Sequence, residues 1–255
     1  SEMCIRDSMC CLPLFTALDH LRLIGTKIIT FGDWNQLPPH PESNSWRGES
    51  ISPDAFKKSR LYKLWSECTC FELTRCRRSD IDHFNFYTSL LDKSLYNALL
   101  QTRKRYRATD NTEQADLHIC ISHYKRRKIS QARQADEAIG KDCIDVPDSD
   151  DPGYLCFVGT KLVGNSTCGR FRNGSRYTVT CLNPLIVEDI TGSFETTVEQ
   201  ISKNCILAWA LTYQKTQGLT VEGKVMLHGL ESRFFQKNHL YVGLSRVTSG
   251  ENVCV

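Results

Sequence analysis

A chain of 255 residues has room for one large domain or two small ones, and with 40% hydrophobic and 24% charged residues it has the composition of an ordinary globular fold. Its net charge of +3 is too small to assign a partner, although the basic residues are clustered. No apolar run approaches the roughly 20 residues that a membrane helix requires, and the opening SEMCIRDSMC holds no uninterrupted apolar stretch of a secretory signal, so no membrane partner is expected. The thirteen cysteines are scattered, with no Cys-x-x-Cys and no His at zinc-ligand spacing. They are expected as reduced, mostly buried thiols of an intracellular protein, and no metal centre is expected.

In chain order, residues 12–23 place Leu14, Ala17, Leu18 and Leu21 on one helical face, with Gly25 as a stop. Lys27–Phe31 reads as a continuous rather than alternating strand, the pattern of a parallel strand covered on both faces. Residues 41–53 are expected as loop, 54–66 as a helix anchored by Phe56, Leu61 and Trp65, and Cys70–Leu73 as a short strand. Residues 80–100 have helical periodicity through Phe84, Tyr87, Leu91, Leu95 and Leu99, and RKRYR, 103–107, is a basic cluster. A second buried strand, 117–121, leads into the basic helix start SHYKRRKISQARQ. DVPDSDDPG, 145–153, is expected as an acidic loop. From about 154 to 204 short alternating strands with Gly and Asn turns predict a small β-barrel-like insert. Strand ILAWAL, loop TYQKTQGLT, strand KVMLH and helix HLYVGLSR then return to α/β order.

In open α/β sheets ligands sit beyond the carboxyl ends of the strands. Three polar clusters fall at such ends: GDWNQLPP, SHYKRR and TYQKTQGLT. Gln36, neutral with both donor and acceptor atoms, suits a residue that reads a phosphate and reports its loss, and Pro38 and Pro39 stiffen its loop. Taken singly each piece has a plainer reading: a turn after a strand, a solvated Gln, a surface Arg246, solvated basic faces. Order and spacing together argue otherwise.

GDWNQLPP resembles motif III of superfamily-one helicases. LTRCRRSD, 73–80, is similar to motif IV, written Leu-Thr, three residues, then Arg. ALTYQKTQGLT, 210–220, resembles motif V, written Ala-x-Thr-Ile-His-Lys-Ser-Gln-Gly-x-Thr, and LYVGLSRV, 240–247, resembles motif VI, written Tyr-Val-Ala-Leu-Ser-Arg-Val. The four stand in family order over most of the chain, and the resemblance is to the Pif/RecD-like branch of 5′-to-3′ DNA helicases. It implies an α/β, RecA-like P-loop NTPase fold with a parallel sheet flanked by helices and a small SH3-like β insert.

The resemblance also implies roles. Gln36, Arg78 and Arg246 would act at the γ-phosphate of ATP, with Arg77 as the alternative to Arg78 and Arg246 as an arginine finger. Gly32, Asp33, Gln217 and Gly218 would also line the nucleotide. His123, Lys125, Arg126, Asn173, Thr212, Gln214, Lys215 and Thr220 would hold DNA, making binding salt-dependent. Asn173-Gly174 would be the tight turn of the insert's hairpin, and an insert without DNA contact is equally open. Gln214 stands where the family has His, which weakens a phosphate contact. Ser130 stands where an Asn is expected. Gly243 stands for the family's Ala, expected as tolerated at roughly 1 kcal/mol of helix propensity.

No Gly-x-x-x-x-Gly-Lys-[Ser/Thr] occurs and no Asp-Glu pair precedes residue 27, so motifs I and II, with the main ligands of ATP and Mg²⁺, are not in this sequence. Ser8-Met9 sits where the family's motif II ends, and residues 1–7 are expected to be adapter-derived. Residues 8–72 would then be the remnant of a first RecA-like domain and 73–255 a second, with the insert at about 157–204. The expected whole is an ATP-dependent DNA helicase, monomeric, working on single-stranded DNA and duplex junctions in nucleus, mitochondrion or cytoplasm. This chain alone is expected to be inactive. The rivals are a non-catalytic single-strand binder and a helicase-related subunit that depends on a partner's P-loop.

Overall fold

The structure, a computed structural model, describes residues 2–6, 12–38, 45–46, 49–50, 53–66, 71–106, 115–148 and 151–255. Strand β1 (Glu2–Arg6) precedes helix α1 (Leu12–Leu23), and β2 (Lys27–Phe31) pairs with β1 in parallel. Gly25, at φ 93°, makes the left-handed turn between α1 and β2 that a side chain would resist. The run 27–31 is not covered on both faces as its sequence predicts. Ile29 and Phe31 are about half exposed, because β1 is its single strand partner among the described residues and the outward face carries no layer.

Strands β3 (Ser45–Trp46) and β4 (Glu49–Ser50) form a small antiparallel pair within the expected loop. The helix expected over 54–66 is two, α2 (Pro53–Lys57) and α3 (Arg60–Ser66), restarted by Ser59, whose hydroxyl accepts from the Tyr62 N–H at 3.1 Å. Phe15 and Phe56 are the buried centre of this N-terminal part, packed with Trp34, Tyr62 and Trp65.

Residues 71–80 carry no strand: Phe71 and Leu73 are 83% and 85% exposed, with no neighbouring strand to complete a ladder among the described residues. The single helix expected over 80–100 is divided. Helix α4 (Ile81–Ser89) is capped by Asp80, and α5 (Leu95–Arg105) starts afresh at Ser94, which accepts from the Asn97 N–H. The apolar period runs across the Asp92–Ser94 turn, so periodicity alone hides the break.

Next come β5 (Leu117–Cys120) and α6 (His123–Ala138). The antiparallel region then runs through β6 (Ile144–Asp148), β7 (Asp151–Cys156), β8 (Lys161–Gly164), β9 (Arg176–Leu182), β10 (Leu185–Asp189), β11 (Gly192–Glu195), α7 (Val198–Asn204) and β12 (Cys205–Leu207). The chain ends through β13 (Ala210–Thr212), α8 (Tyr213–Thr216), β14 (Val225–Leu227), α9 (Lys237–Leu244) and β15 (Val253–Cys254).

Two sheets organise this part. One is fully parallel, in the order β13-β5-β14-β15, with a core of Ile119, Leu211, Tyr213, Val225, Val242 and Leu244. The other is antiparallel, in the order β11-β10-β9-β8-β12, closing over Leu162, Tyr177, Val179, Val187 and Ile201. The stretch 145–153, expected as an acidic loop, lies mostly in the β6–β7 hairpin. Its positions alternate, so Val146 and Cys156 turn inward while Asp145 and Leu155 face out. ILAWAL is not one strand. Ala208 N–H donates to Lys161 in the antiparallel sheet, and Trp209 C=O accepts from His118 in the parallel one. No described helix is long and apolar enough to cross a membrane.

Candidate functional site

The loop after β2 is held from both ends of its own sequence. Asp33 Oδ1 accepts from the Asn35 N–H at 3.0 Å, and its Oδ2 accepts from Gln36 Nε2 at 3.3 Å and the Tyr241 hydroxyl at 2.9 Å. Asn238, one turn earlier on α9, donates to the carbonyls of Asn35 at 3.0 Å and Gln36 at 2.9 Å. Gln217 Nε2 donates to the Leu37 carbonyl at 3.2 Å, and Leu37 is packed into the core of the parallel sheet. The residues at 33–37, 217 and 238–241 therefore meet at one junction. Pro39 lies outside the described residues.

Two amide oxygens at this junction, Gln36 Oε1 and Gln217 Oε1, are buried without a hydrogen-bond partner among the described residues. Buried acceptors of that kind are costly and mark a place where a donor is wanted. Gly32 is exposed, while both carboxylate oxygens of Asp33 are already used within the protein, so Asp33 organises the loop. Burial and the Asp33 charge hold the Tyr241 hydroxyl well above its ordinary pKa, which keeps it a donor.

A second loop reaches the far end of α9. Arg78 donates to the Ser245 carbonyl at 3.1 Å, Ser79 Oγ to Val247 C=O at 3.0 Å, and Asp80 N–H to Thr248 C=O at 2.9 Å. His83 Nε2 lies 2.8 Å from the Leu244 carbonyl and its Nδ1 2.8 Å from the Tyr106 hydroxyl. Arg78 thus reaches the residue before Arg246, while Arg77 is exposed. Arg246 itself is 1% exposed. Its guanidinium donates to Val242 C=O at 2.9 Å, Thr216 C=O at 3.2 Å, Leu219 C=O at 3.3 Å and Ser245 Oγ at 2.7 Å. The sequence places it at an open phosphate site. The structure spends it on the turn that carries Gln217 and Gly218, the latter at φ 90°.

A third group forms where the antiparallel sheet meets α8. Thr212 Oγ1 caps α8 by accepting from the Lys215 N–H at 3.3 Å. Lys215 Nζ donates to Asn165 Oδ1 at 3.4 Å and to Asn173 Oδ1. Gly174, at φ 83°, makes the expected tight turn beside Asn173. Burial, then the nearby Arg126 charge, lower the Lys215 pKa. His123 and Lys125 are exposed at the start of α6, Arg126 is buried, and Ser130 is buried on the same helix. Gln214 is exposed on the turn of Lys215. Thr220 stands apart, between Leu219, whose carbonyl Arg246 holds, and Val221, whose N–H donates to Arg246 C=O at 2.8 Å.

The cluster RKRYR is structural where it is described: Arg103 pairs with Glu231, Arg105 pairs with Asp82, and Arg105 also lies over the Phe86 ring at 4.5 Å. Sequence reasoning missed Asn238, Tyr241, His83, Asn165 and Tyr124. The last is 76% exposed between His123 and Lys125, and an aromatic inside a basic stretch was a signal that could have found it. Among the described residues no group of three His, Cys, Asp or Glu could hold a metal ion.

No protein-family model matches the chain, and no curated protein matches it. Solved structures do. A Bacteroides Pif1 bound to single-stranded DNA superposes with a TM-score of 0.65 at 20% identity, covering 99% of this chain and 70% of that one. A structure of Pif1 helicases at forked double-stranded DNA gives 0.69 at 22%, covering 99% and 68%. Pif1 from Candida albicans gives 0.65 at 16%, covering 100% and 72%. At these identities the likeness establishes architecture, and the chain accordingly has the RecA-like α/β fold of the Pif1 helicases.

Proposed function

We propose that this chain is the C-terminal part of an ATP-dependent DNA helicase that moves along single-stranded DNA and separates duplex ahead of it. Residues 8–72 would be the end of a first RecA-like domain. Residues 73–255 would be a second, with its SH3-like insert at about 157–204. The observation that carries the reading is convergence. Gln36 and Leu37 on one loop, Gln217 just after α8, and Asn238 and Tyr241 on α9 meet at one junction although the sequence scatters them, and Arg246, whose neighbour Ser245 is held by Arg78, grips the turn that carries Gln217. Among the structures that share the fold are Pif1 complexes with ADP-AlF3 and single-stranded DNA, which supports a nucleotide at the junction.

The chemistry asked of these residues is charge and orientation. ATP supplies the phosphoryl group whose transfer drives the motion. Gln36 would hold or orient through its unpaired Oε1, which accepts from a donor such as water, and through its Nε2, which can turn to a phosphate oxygen. Arg246 would exchange the Thr216 and Leu219 carbonyls for phosphate oxygens, freeing the Gln217–Thr220 turn as it does so. Arg78 would follow through its bond to Ser245. The described residues supply no ligand set for Mg²⁺, so no step is assigned to it. Lys215, Asn173, Thr212, Gln214, His123, Lys125 and Arg126 would take the DNA backbone, with Thr220 on the nucleotide side of the same turn.

The test is made on the gene extended upstream until it includes an in-frame Gly-x-x-x-x-Gly-Lys-[Ser/Thr]. That protein should hydrolyse ATP when single-stranded DNA is added, and Arg246→Ala should lower the stimulated rate by about 10³-fold. Single-strand binding without ATP hydrolysis would establish the non-catalytic binder instead. Near wild-type hydrolysis in Arg246→Ala would remove Arg246 from the reaction.

A further inference from the structure

We propose that His83 is a positioning residue for Arg246, occupying the Leu244 carbonyl at the end of α9 so that this acceptor does not draw the guanidinium away from Val242, Thr216 and Leu219. The inference rests on the role proposed above for Arg246, but its geometry and its test do not require ATP hydrolysis.

The last four carbonyls of a helix have no partner within it. At the end of α9 three of the four are satisfied by the next two residues. Tyr241 C=O accepts from Ser245 N–H at 3.0 Å, Val242 C=O from Arg246 Nε at 2.9 Å, and Gly243 C=O from Arg246 N–H at 3.3 Å. The fourth, Leu244 C=O, accepts from His83. Arg246 is therefore its own helix's cap, and its side chain reaches three carbonyls already: those of Val242, Thr216 and Leu219. Without His83 the Leu244 carbonyl would be a buried acceptor with no donor, two residues from a guanidinium, and it would compete for that guanidinium.

The chemistry of His83 is fixed by its partners. A carbonyl only accepts, so Nε2 carries the proton, and Nδ1 must then accept from the Tyr106 hydroxyl. The ring is fully buried, wedged edge-on to Tyr87 and Tyr106, and burial lowers its pKa so that it stays neutral. The same segment carries Arg78, Ser79 and Asp80 onto the carbonyls of Ser245, Val247 and Thr248. Residues 78–83 thus grip the chain on both sides of Arg246, and His83 is the member that completes the helix end.

The experiment uses the ¹⁵N-labelled chain as it stands, with two readouts: the tautomer of His83 from its ring nitrogen shifts, and solvent exchange of the Arg246 Nε–H. The wild-type should show the Nε2–H tautomer and a protected Arg246 Nε–H. His83→Phe, which keeps a ring but removes the donor, should speed that exchange by about tenfold, the order expected from loss of one buried hydrogen bond. His83→Gln, which keeps a donor for Leu244, should restore it to within about threefold of wild-type. Unchanged exchange in a folded His83→Phe, or a His83→Gln no better than His83→Phe, would overturn the proposal. Should His83→Phe fail to fold, Tyr106→Phe decides: it removes the hydroxyl that fixes the tautomer and should admit the Nδ1–H form with faster Arg246 exchange. Neither change occurring would overturn the proposal equally. A helicase reading that failed in the upstream-extended protein would leave these exchange rates untouched, so the two failures are separable.

Discussion

The ring of Tyr213 occupies the space that a side chain at Gly243 would need. A Cβ built on Gly243 meets Tyr213 Cε1 at 3.0 Å and Leu227 Cδ2 at 2.8 Å. Tyr213 is fully buried, with its hydroxyl donating to His228 C=O at 3.2 Å, and it stands where the motif V pattern has Ile. Gly243, expected as a tolerated loss of helix propensity, is instead what lets α9 approach β14 over a larger ring. Gly243→Ala should cost about 1–3 kcal/mol by overpacking, despite the better propensity of Ala. Tyr213→Ile should also destabilise, but the double variant should cost less than the sum of the two. Urea unfolding of the four proteins measures this, and strict additivity would show the two positions to be independent.

Lys215 supplies a pH signature. Its pKa is lowered by burial and then by Arg126, and phosphate binding favours the charged form, so DNA should raise it again. Single-strand affinity should therefore fall as pH rises through this lowered value, earlier than for an ordinary lysine. Lys215→Arg, charged throughout the range, should flatten the profile. Fluorescence anisotropy with a labelled oligonucleotide from pH 7 upward reads it; identical profiles for the two proteins would take Lys215 off the DNA.

Tyr124 and Lys215 should separate by salt. Tyr124→Ala removes an exposed aromatic face and should weaken single-strand binding by about 1–3 kcal/mol with an unchanged dependence on log salt. Lys215→Ala should reduce that slope by about 0.7, one phosphate contact on a single strand. A Tyr124→Ala protein with wild-type affinity would return the residue to the solvated surface.

Three histidines make stability fall in acid. His118, His228 and His239 are each pushed down to about 4, by burial first, then by the charges of Arg133 and Lys125 at His118 and of His118 and Lys125 at His228; the His118 and His228 rings share a 2.9 Å hydrogen bond. Their folded-state values lie below the unfolded value, so the unfolded chain binds more protons between about 6.5 and 4. The stability they contribute is complete above that window and is lost as pH falls through it. The urea midpoint should drop steadily from pH 6.5 to 4, and His228→Gln should make the drop shallower. A midpoint flat across the window would contradict the burial seen here.

What the sequence made legible was chemistry carried by order. The four motif segments could be read because residue type and spacing alone define them, and three of them, at 33–37, 217 and 238–241, are brought together in the fold. What it could not carry was competition for partners. Lys27–Phe31 looks like an interior strand because hydropathy records what a residue prefers, not whether a layer lies above Ile29 and Phe31. The break at Ser94 falls in phase with the apolar period on either side, so only the cap reveals it. Arg246 looks like a free cation because nothing local announces that Thr216 and Leu219 turn their carbonyls toward it. Asn238 and Tyr241 are ordinary helix residues until the Asp33 loop is laid against them.

The ILAWAL stretch gears the molecule. Ala208 belongs to the antiparallel sheet, Trp209 to the parallel one, and Thr212 opens the turn that bears Lys215 three residues later. Gln134 locks the gear: its amide nitrogen donates to Leu155 C=O at 2.6 Å and Thr160 Oγ1 at 2.9 Å, while its oxygen accepts from Trp209 Nε1 at 2.8 Å. With no slack peptide between the two sheets, the antiparallel sheet and the Lys215 turn are fixed to one another through a single residue step. The Lys215–Asn173 contact closes the same connection from the other side, so the two sheets are tied by side chains as well as by backbone.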